Sequence, residues 1–412
     1  MIFVTHEVAV LDFWLIIIVF IILCLYLIIE NIVHNASIKS IPIRIHVNGT
    51  RGKSSVARLI AAGVRAGGYR TVAKTTGTLA RYIDVDGTET PVFRIGFSNI
   101  AEQVKIMFKA RRAKADAIII ECMALQPLLQ SLCELKLIKA THGVLTNARP
   151  DHLDVMGPTE RDVAKALAGT VPVKSKYFTA EDTHIDFFEY ACKDRETELI
   201  VATAADAELV SDDEVNKFVY SEFKINVALA LKVTDDLGIP RDVALKGMWE
   251  ATPDPGAMTE YNFDINNSEM NFANAFAAND PVSTKMLWDK LYSKYQYCDK
   301  KVLVVNCRDD REDRSKQIAE AILNWEKPDL VTLIGTGTDV FVSFYKKYSK
   351  SLGIKPAQVI VCEDMQPLEI LEKINLTQPA NTYMLVGVGN IKDIGMSLVD
   401  YCDQSHKQKH GL

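Results

Sequence analysis

The 412-residue sequence has no excess of basic residues: 47 Lys and Arg stand against 53 Asp and Glu, a formal net charge of −6. A general nucleic-acid binder would need the opposite balance. Its eight cysteines, Cys24, Cys122, Cys133, Cys192, Cys298, Cys307, Cys362 and Cys402, include no C-x-x-C pair and no zinc-like spacing. A zinc or disulfide scaffold is thereby disfavoured, and free thiols in a reducing compartment are expected. Internal repeats and low-complexity tracts are also missing. What remains is 48% hydrophobic and 24% charged, the composition of a folded chain with length for two or three domains.

Basic residues are missing from one more place. None precedes residues 8–29, VAVLDFWLIIIVFIILCLYLII, where Asp12 is the only charge. Such a run is about long enough to cross the hydrocarbon core. It is apolar on every face, unlike a soluble surface helix, and it lacks the basic start and small-residue cleavage site of a signal peptide. Lys39, Arg44, Arg51 and Lys53 follow it, so the positive-inside rule places the remainder in the cytoplasm. The expectation is a single-pass anchor in the cytoplasmic membrane carrying an enzyme-sized body. Asp12 reads as an interfacial aspartate, with contact to a membrane partner as the alternative.

A glycine is missing too. Residues 45–60, IHVNGTRGKSSVARLI, end like a phosphate-binding loop, but the template G-x-x-x-x-G-K-[ST] would need glycine at Val47. The spacing present is G-x-x-G-K-S, from Gly49 to Ser54, with Arg51 inside the loop. Residues 41–47 alternate apolar and polar as a strand does. From Ser54 onward Val56, Leu59, Ile60 and Val64 recur at helical spacing, and Gly67-Gly68 end the run. The loop therefore falls between a strand and a helix N-terminus, where backbone N–H groups and the helix dipole can hold phosphate. Lys53 can reach the β- and γ-phosphates, and the Ser54 hydroxyl can ligate Mg²⁺.

Further apolar runs follow. Residues 117–120 end directly in Glu121, at the strand end where open α/β sheets place ligand-binding groups. Residues 143–146 lead into NARPDHLD, 197–203 form a later strand, and 225–237 read as a helix closed by Gly238. Apolar strands alternating with amphipathic helices predict an α/β domain with a mainly parallel sheet. ATPDPGAM, residues 251–258, breaks the pattern as an interdomain linker would. Beyond it, strands at 301–306, 330–334, 358–362 and 383–388, with helices such as 316–325 and 368–374 between them, predict a smaller doubly wound domain. The loop from Thr146 to Asp154 gathers an amide, two carboxylates, a guanidinium and an imidazole. His152 with Asp151 or Asp154 could form a metal site or an oriented base.

GTRGKS (49–54), IIIECM (118–123) and TNARPDHLDVMG (146–157), in that order, resemble the Mur ligase superfamily of ATP-dependent amide-bond ligases. Those enzymes typically carry GTNGKS/T, a strand-ending Glu and TN-x-x-x-DHLD-x-x-G. KTTGT (74–78), MGPT (156–159), PDPGAM (253–258), FANAFAANDP (272–281), NCRDDREDRS (306–315) and VGVGNI (386–391) extend the similarity over essentially the whole chain. It is strongest to the membrane-anchored ligases of poly-γ-glutamate capsule synthesis, which carry arginine at the place of Arg51 where peptidoglycan enzymes carry asparagine. The fold implied is α/β: a Mur-ligase-like P-loop central domain (39–252) and a smaller Rossmann-like C-terminal ligase domain (259–412). One transmembrane helix and a connector (1–38) precede them.

The resemblance implies ATP and Mg²⁺ as cofactors and γ-glutamyl bond formation through an acyl phosphate, attacked by an amine. Gly49, Thr50, Arg51, Gly52, Lys53, Ser54 and Ser55 would cradle phosphate, with Lys53, Glu121 and His152 as the catalytic residues. Ser54 and Glu121 would lie near Mg²⁺, His152 would hold a second ion, and Thr78 is a further metal candidate. Asn147 and Asn226 match asparagines near the nucleotide. Many relatives carbamylate a lysine downstream of DHLD; Lys165 stands near that place in one register and Leu167 in another, and no carbamate is expected. Ala257 stands where several relatives place an arginine that contacts ATP, so Arg308, Arg311 or Arg314 are the candidates to supply positive charge to the acceptor site. About 48 residues precede Gly49, too few for the UDP-acceptor domain of peptidoglycan ligases. The implied partners are glutamate, a growing γ-glutamyl chain and small multi-pass membrane proteins, and a homo-oligomer is left open. The alternatives are a folylpolyglutamate-synthase-like or other γ-glutamyl ligase, and a membrane-tethered P-loop ATPase that powers polymer export.

Overall fold

A computed structural model describes residues 2–77, 80–94, 99–220, 222–254, 257–278 and 281–411, with side chains from Trp14 onward. The chain divides into two compact units, Met1–Val215 with Glu222–Thr252, and Asn216–Ser221 with Pro253–Leu412.

The first unit begins with α1 (Ile2–Ser40), one unbroken helix of 39 residues. The span expected at 8–29 and the connector after it lie in this one helix, whose last turns are core. His34, Ser37 and Ile38 are buried, whereas the large apolar side chains from Trp14 to Ile29 are exposed except for half-buried Ile17. Among the described residues α1 is the one helix long and apolar enough to cross a membrane. The Arg44 guanidinium closes its foot, donating to the Ile41 carbonyl at 2.7 Å and, through Nε, to the Lys139 carbonyl at 2.9 Å. Those carbonyls, left over where a helix stops, would otherwise be unsatisfied.

Eight strands follow: β1 (Ile43–Asn48), β2 (Thr71–Thr75), β3 (Arg81–Ile83), β4 (Glu89–Pro91), β5 (Ala117–Glu121), β6 (His142–Leu145), β7 (Lys176–Thr179) and β8 (Glu198–Val201). They form one sheet in the order β4-β3-β2-β5-β1-β6-β7-β8, parallel except for the β2-β3-β4 meander. Ile45, Val47, Ile118, Ile119 and Ile120 are wholly buried, as expected of central parallel strands covered on both faces. The helix α2 (Lys53–Ala66) buries Val56, Leu59, Ile60 and Val64, the stripe anticipated from their spacing. It also buries Arg58, whose guanidinium forks onto the Glu89 carboxylate of β4 and donates to the Thr252 carbonyl. A buried guanidinium is tolerated only with such a partner. The helix α3 (Glu102–Arg112) packs on the foot of α1, where Ile38, Ile41, Ile106, Met107 and Ala110 share a core cluster.

The second unit holds a six-stranded sheet of β9 (Thr259–Ile265), β10 (Ser268–Asn274), β11 (Lys300–Cys307), β12 (Leu330–Gly335), β13 (Gln358–Val361) and β14 (Thr382–Val388), ordered β13-β12-β11-β14-β10-β9. Only β9 runs antiparallel. Along β11, Leu303 and Val305 join the cluster around Trp288 and Phe341 on one face, and Val302 and Val304 join Phe263, Phe272 and Leu385 on the other. All eight cysteines are free, and seven of them are buried.

Candidate active site

The sheet order explains how distant motifs meet. β1 lies between β5 and β6, in register Val47↔Glu121 and Asn48↔Leu145. Neighbouring strands are about 5 Å apart. The loop after β1, the end of β5 and the loop after β6 therefore emerge side by side at the carboxyl edge, where α/β sheets bind ligands.

The loop after β1 needs both of its glycines. Gly49 has φ 132°, and a Cβ there would sit 2.1 Å from Thr146 Oγ1. Gly52 has φ 80°, with Asn226 Oδ1 3.2 Å from where its Cβ would be. That contact also shows where Asn226 lies: the helix Lys224–Asp236 packs on α2 and lays this asparagine against the loop. Asn226 Nδ2 donates to Glu222 Oε1 at 2.8 Å. No side chain caps α2 at Gly52, so its first-turn N–H groups face the loop. Lys53 opens α2 and folds its ammonium back over the loop, 2.7 Å from the Gly49 carbonyl and 3.3 Å from that of Thr50. Ser55 follows in the same turn and is half-buried.

The loop after β6 is fastened to the phosphate-type loop. Thr50 donates its hydroxyl to Asn147 Oδ1 at 2.7 Å and its N–H to the Asn147 carbonyl at 3.0 Å. Arg51 N–H also reaches Asn147 Oδ1 at 3.0 Å, while Asn147 Nδ2 and the Thr146 hydroxyl donate to the Arg51 carbonyl. Arg51 Nη1 pairs with Asp151 Oδ2 at 3.0 Å. Asp151 also lies 3.9 Å from His152 Nε2, and Asp154 is exposed. His152 holds a left-handed conformation, φ 46°, that turns the chain into the short helix Leu153–Met156.

Glu121 is 2% exposed and closes the third side. Its Oε2 accepts the Ser54 hydroxyl at 2.9 Å and the Thr76 N–H at 2.6 Å. Two hard oxygen donors, Ser54 Oγ and the Glu121 carboxylate, thus converge beside the loop. Among the described residues no three His, Cys, Asp or Glu side chains gather as a metal cage. The donor set fits Mg²⁺, which binds through one or two protein oxygens and fills its octahedron with water and phosphate. Thr78 lies outside the described residues. Lys165 is exposed, 3.3 Å from Asp162 Oδ1, and Leu167 is buried.

Several supporting residues carry no local signal in the sequence. Lys74, fully buried on β2, contacts Glu102 Oε1 at 2.7 Å; burial pushes its ammonium below the usual lysine range, opposed by that carboxylate. Lys74 and Thr76 fall within KTTGT, which is the one clue available. Glu181 accepts the Ala148 and His184 N–H groups and props the loop after β6. His46 of β1 and Glu134 of the π-helical turn Cys133–Ile138 form a fully buried pair at 2.8 Å. Burial alone would lower the His46 pKa, but hydrogen bonds and charge from Cys122 and Glu134 raise it to about 9.

In the second unit, Arg308, Arg311 and Arg314 line a small crevice with Ser315 and Asn390. It lies at the carboxyl ends of β11 and β14, the neighbouring strands where the strand order reverses. Arg308 Nη2 contacts Asp310 Oδ2 at 2.6 Å.

The family model "Mur ligase middle domain" matches residues 47–232, and "Poly-gamma-glutamate synthase CapB C-terminal domain" matches residues 260–405. The chain is 38% identical over 382 residues to the capsule biosynthesis protein CapB of Bacillus anthracis, covering 92% of this chain and 80% of that protein. It is 35% identical over 389 residues to the PGA synthase CapB of Bacillus subtilis (strain 168), covering 94% and 97%. Among solved structures, E. coli FolC in complex with ADP shares the fold, with a TM-score of 0.67 at 15% identity over 91% of this chain and 94% of that one. The chain belongs to the Mur ligase family of ATP-dependent amide ligases, on the branch that includes the CapB proteins.

Proposed function

We propose that this chain is a membrane-anchored ligase that forms γ-glutamyl amide bonds in poly-γ-glutamate synthesis. The observation that carries the reading is the likeness, over more than nine-tenths of the chain, to proteins named for capsule biosynthesis and PGA synthesis. ATP, when bound, supplies the γ-phosphoryl group that activates a glutamyl carboxylate as an acyl phosphate, from which an attacking amine displaces phosphate. The chain's part is positioning and charge neutralisation. Residues 49–55 present N–H groups to the phosphates, and the Lys53 ammonium offsets their charge. Ser54 and Glu121 hold Mg²⁺, with Thr76 N–H keeping the Glu121 carboxylate aimed at the serine. His152, beside Asp151, holds a second ion. Asn147 and Asn226 flank the loop on the nucleotide side. Arg308, Arg311 and Arg314 offer guanidinium forks for the carboxylates of the acceptor chain.

α1 anchors this body to the cytoplasmic membrane with the catalytic units in the cytoplasm. One span cannot conduct a polyanion, so small multi-pass membrane proteins complete the synthase. A folylpolyglutamate-synthase-like activity is the second reading, favoured by the shared fold, although 15% identity supports the fold alone. An export ATPase would form no amide product, and membership in a ligase family speaks against it. Membranes carrying the full chain, supplied with glutamate and ATP and then assayed for product mass, should yield γ-linked glutamate polymer. An amide product that forms on a folate and on no glutamyl acceptor would overturn the capsule reading.

A further inference from the structure

The unbroken course of α1 fixes how closely the first unit approaches the bilayer. The uninterrupted apolar run ends at Ile29, Ile32 is the last exposed apolar side chain of the helix, and His34 is already buried in the body. The five residues of helix from the end of the run to His34 rise only about 8 Å, and the two from Ile32 only about 3 Å. The elements packed on this foot are α3 and the π-helical turn: Ile38 shares a cluster with Ile106, Met107 and Ala110, and His34 lies beside the Lys136 and Leu137 backbone.

Those same elements carry an unusual density of cations. Lys105, Lys109, Arg111, Arg112 and Lys114 on and after α3, Lys136 and Lys139 at the turn, and Lys39 on α1 are all exposed. Lys109 lies over the Tyr82 ring at 3.4 Å, and among the described residues none of the eight makes an ion pair. The acids of α3 and the turn are engaged elsewhere, Glu102 with Lys74 and Arg94 and Glu134 with His46, and Glu30 of α1 accepts the Tyr26 hydroxyl. Lys105, Lys109 and Arg112 share one face of α3, and 42%-exposed Phe108 sits in the middle of it. By contrast, Arg44, which follows the span in sequence, is turned inward onto carbonyls.

We propose that this basic face, centred on Phe108, is a docking surface for an anionic lipid leaflet, holding the first unit flat against the membrane at the foot of its anchor. The inference rests on the reading of α1 as a membrane span. Cations within about one Debye length of anionic headgroups are attracted to them, and an aromatic ring among them seats in the interface. The face thereby makes the anchored unit sensitive to lipid charge, which a free tether would not.

The test uses the full chain in nanodiscs of phosphatidylcholine alone or with about 30% phosphatidylglycerol, with lysine acetylation rates read by mass spectrometry. Lys105, Lys114, Lys136 and Lys139 should react roughly threefold or more slowly in anionic discs, and the protection should vanish near 0.5 M salt. Lys346 of the second unit serves as the reference. R111Q/R112Q should reduce the protection of the remaining lysines. Equal rates in the two discs, or protection insensitive to salt, would overturn the proposal. A chain that alkaline carbonate strips from native membranes would instead overturn the anchor reading on which it rests.

Discussion

Replacing Glu134 by Gln tests the physical account of the core beneath the phosphate-type loop. His46 sits on β1, three residues before Gly49, and its Nδ1 is 2.8 Å from Glu134 Oε2 with both side chains shut off from water. The second oxygen, Oε1, accepts the Ala140 N–H at 2.8 Å. The folded pKa of His46 is raised from 6.5 to about 9. A raised pKa contributes stability that is fully present below the unfolded value and is lost as pH climbs through the folded one. The interval corresponds to about 3 kcal/mol at 1.36 kcal/mol per unit. Gln preserves the shape and one hydrogen bond but not the charge, so His46 would lose the part of this shift that Glu134 supplies and keep the part from Cys122. The opening free energy at Ile45, His46 and Val47, read by hydrogen exchange on the full chain in detergent, should therefore fall by about 1–2 kcal/mol at pH 6.5. The gap between wild type and variant should shrink steadily toward pH 10. A gap below about 0.5 kcal/mol at pH 6.5, or one that does not change with pH, would refute the reasoning.

Three more variants probe the sites themselves. K53M keeps the helix start and removes the amine, so ATP turnover should fall at least ~100-fold with the circular-dichroism spectrum unchanged. G49A forces a side chain onto φ 132° and to within 2.1 Å of Thr146 Oγ1. Thermal unfolding of that variant should show about 2–4 kcal/mol of destabilisation, together with weaker nucleotide binding. Combined R308A/R311A/R314A should raise the KM for oligo-γ-glutamate roughly tenfold or more, and unchanged steady-state constants would remove these arginines from the acceptor site.

The sequence makes the ligand-binding edge unusually legible. Gly49, Glu121 and Thr146-Asn147 each follow or end an apolar run, and parallel strands deliver such ends to one edge. The partners that hold the edge in shape were not legible, because Thr76, Glu181 and Glu134 act across 33 to 88 residues of chain. Strand β2 was hidden by Lys74, a charge inside a short run that only its distant partner Glu102 makes tolerable. The β9-β10 hairpin was missed although its residues alternate polar and apolar as those of β1 do. Its signal was the turn Asn266-Asn267, where both residues have positive φ, 49° and 65°. Two asparagines between alternating runs fit the two-residue hairpin turn. The three-residue strands β3 and β4 carry too few residues for any periodicity to register.

The central claim is that this chain activates a glutamyl carboxylate by phosphorylation, and hydroxylamine trapping tests it most directly. Full chain in membranes, given ATP, Mg²⁺ and glutamate or oligo-γ-glutamate, should produce a glutamyl hydroxamate that depends on ATP and is absent with K53M. ATP binding without hydroxamate from any glutamyl acceptor would contradict the account.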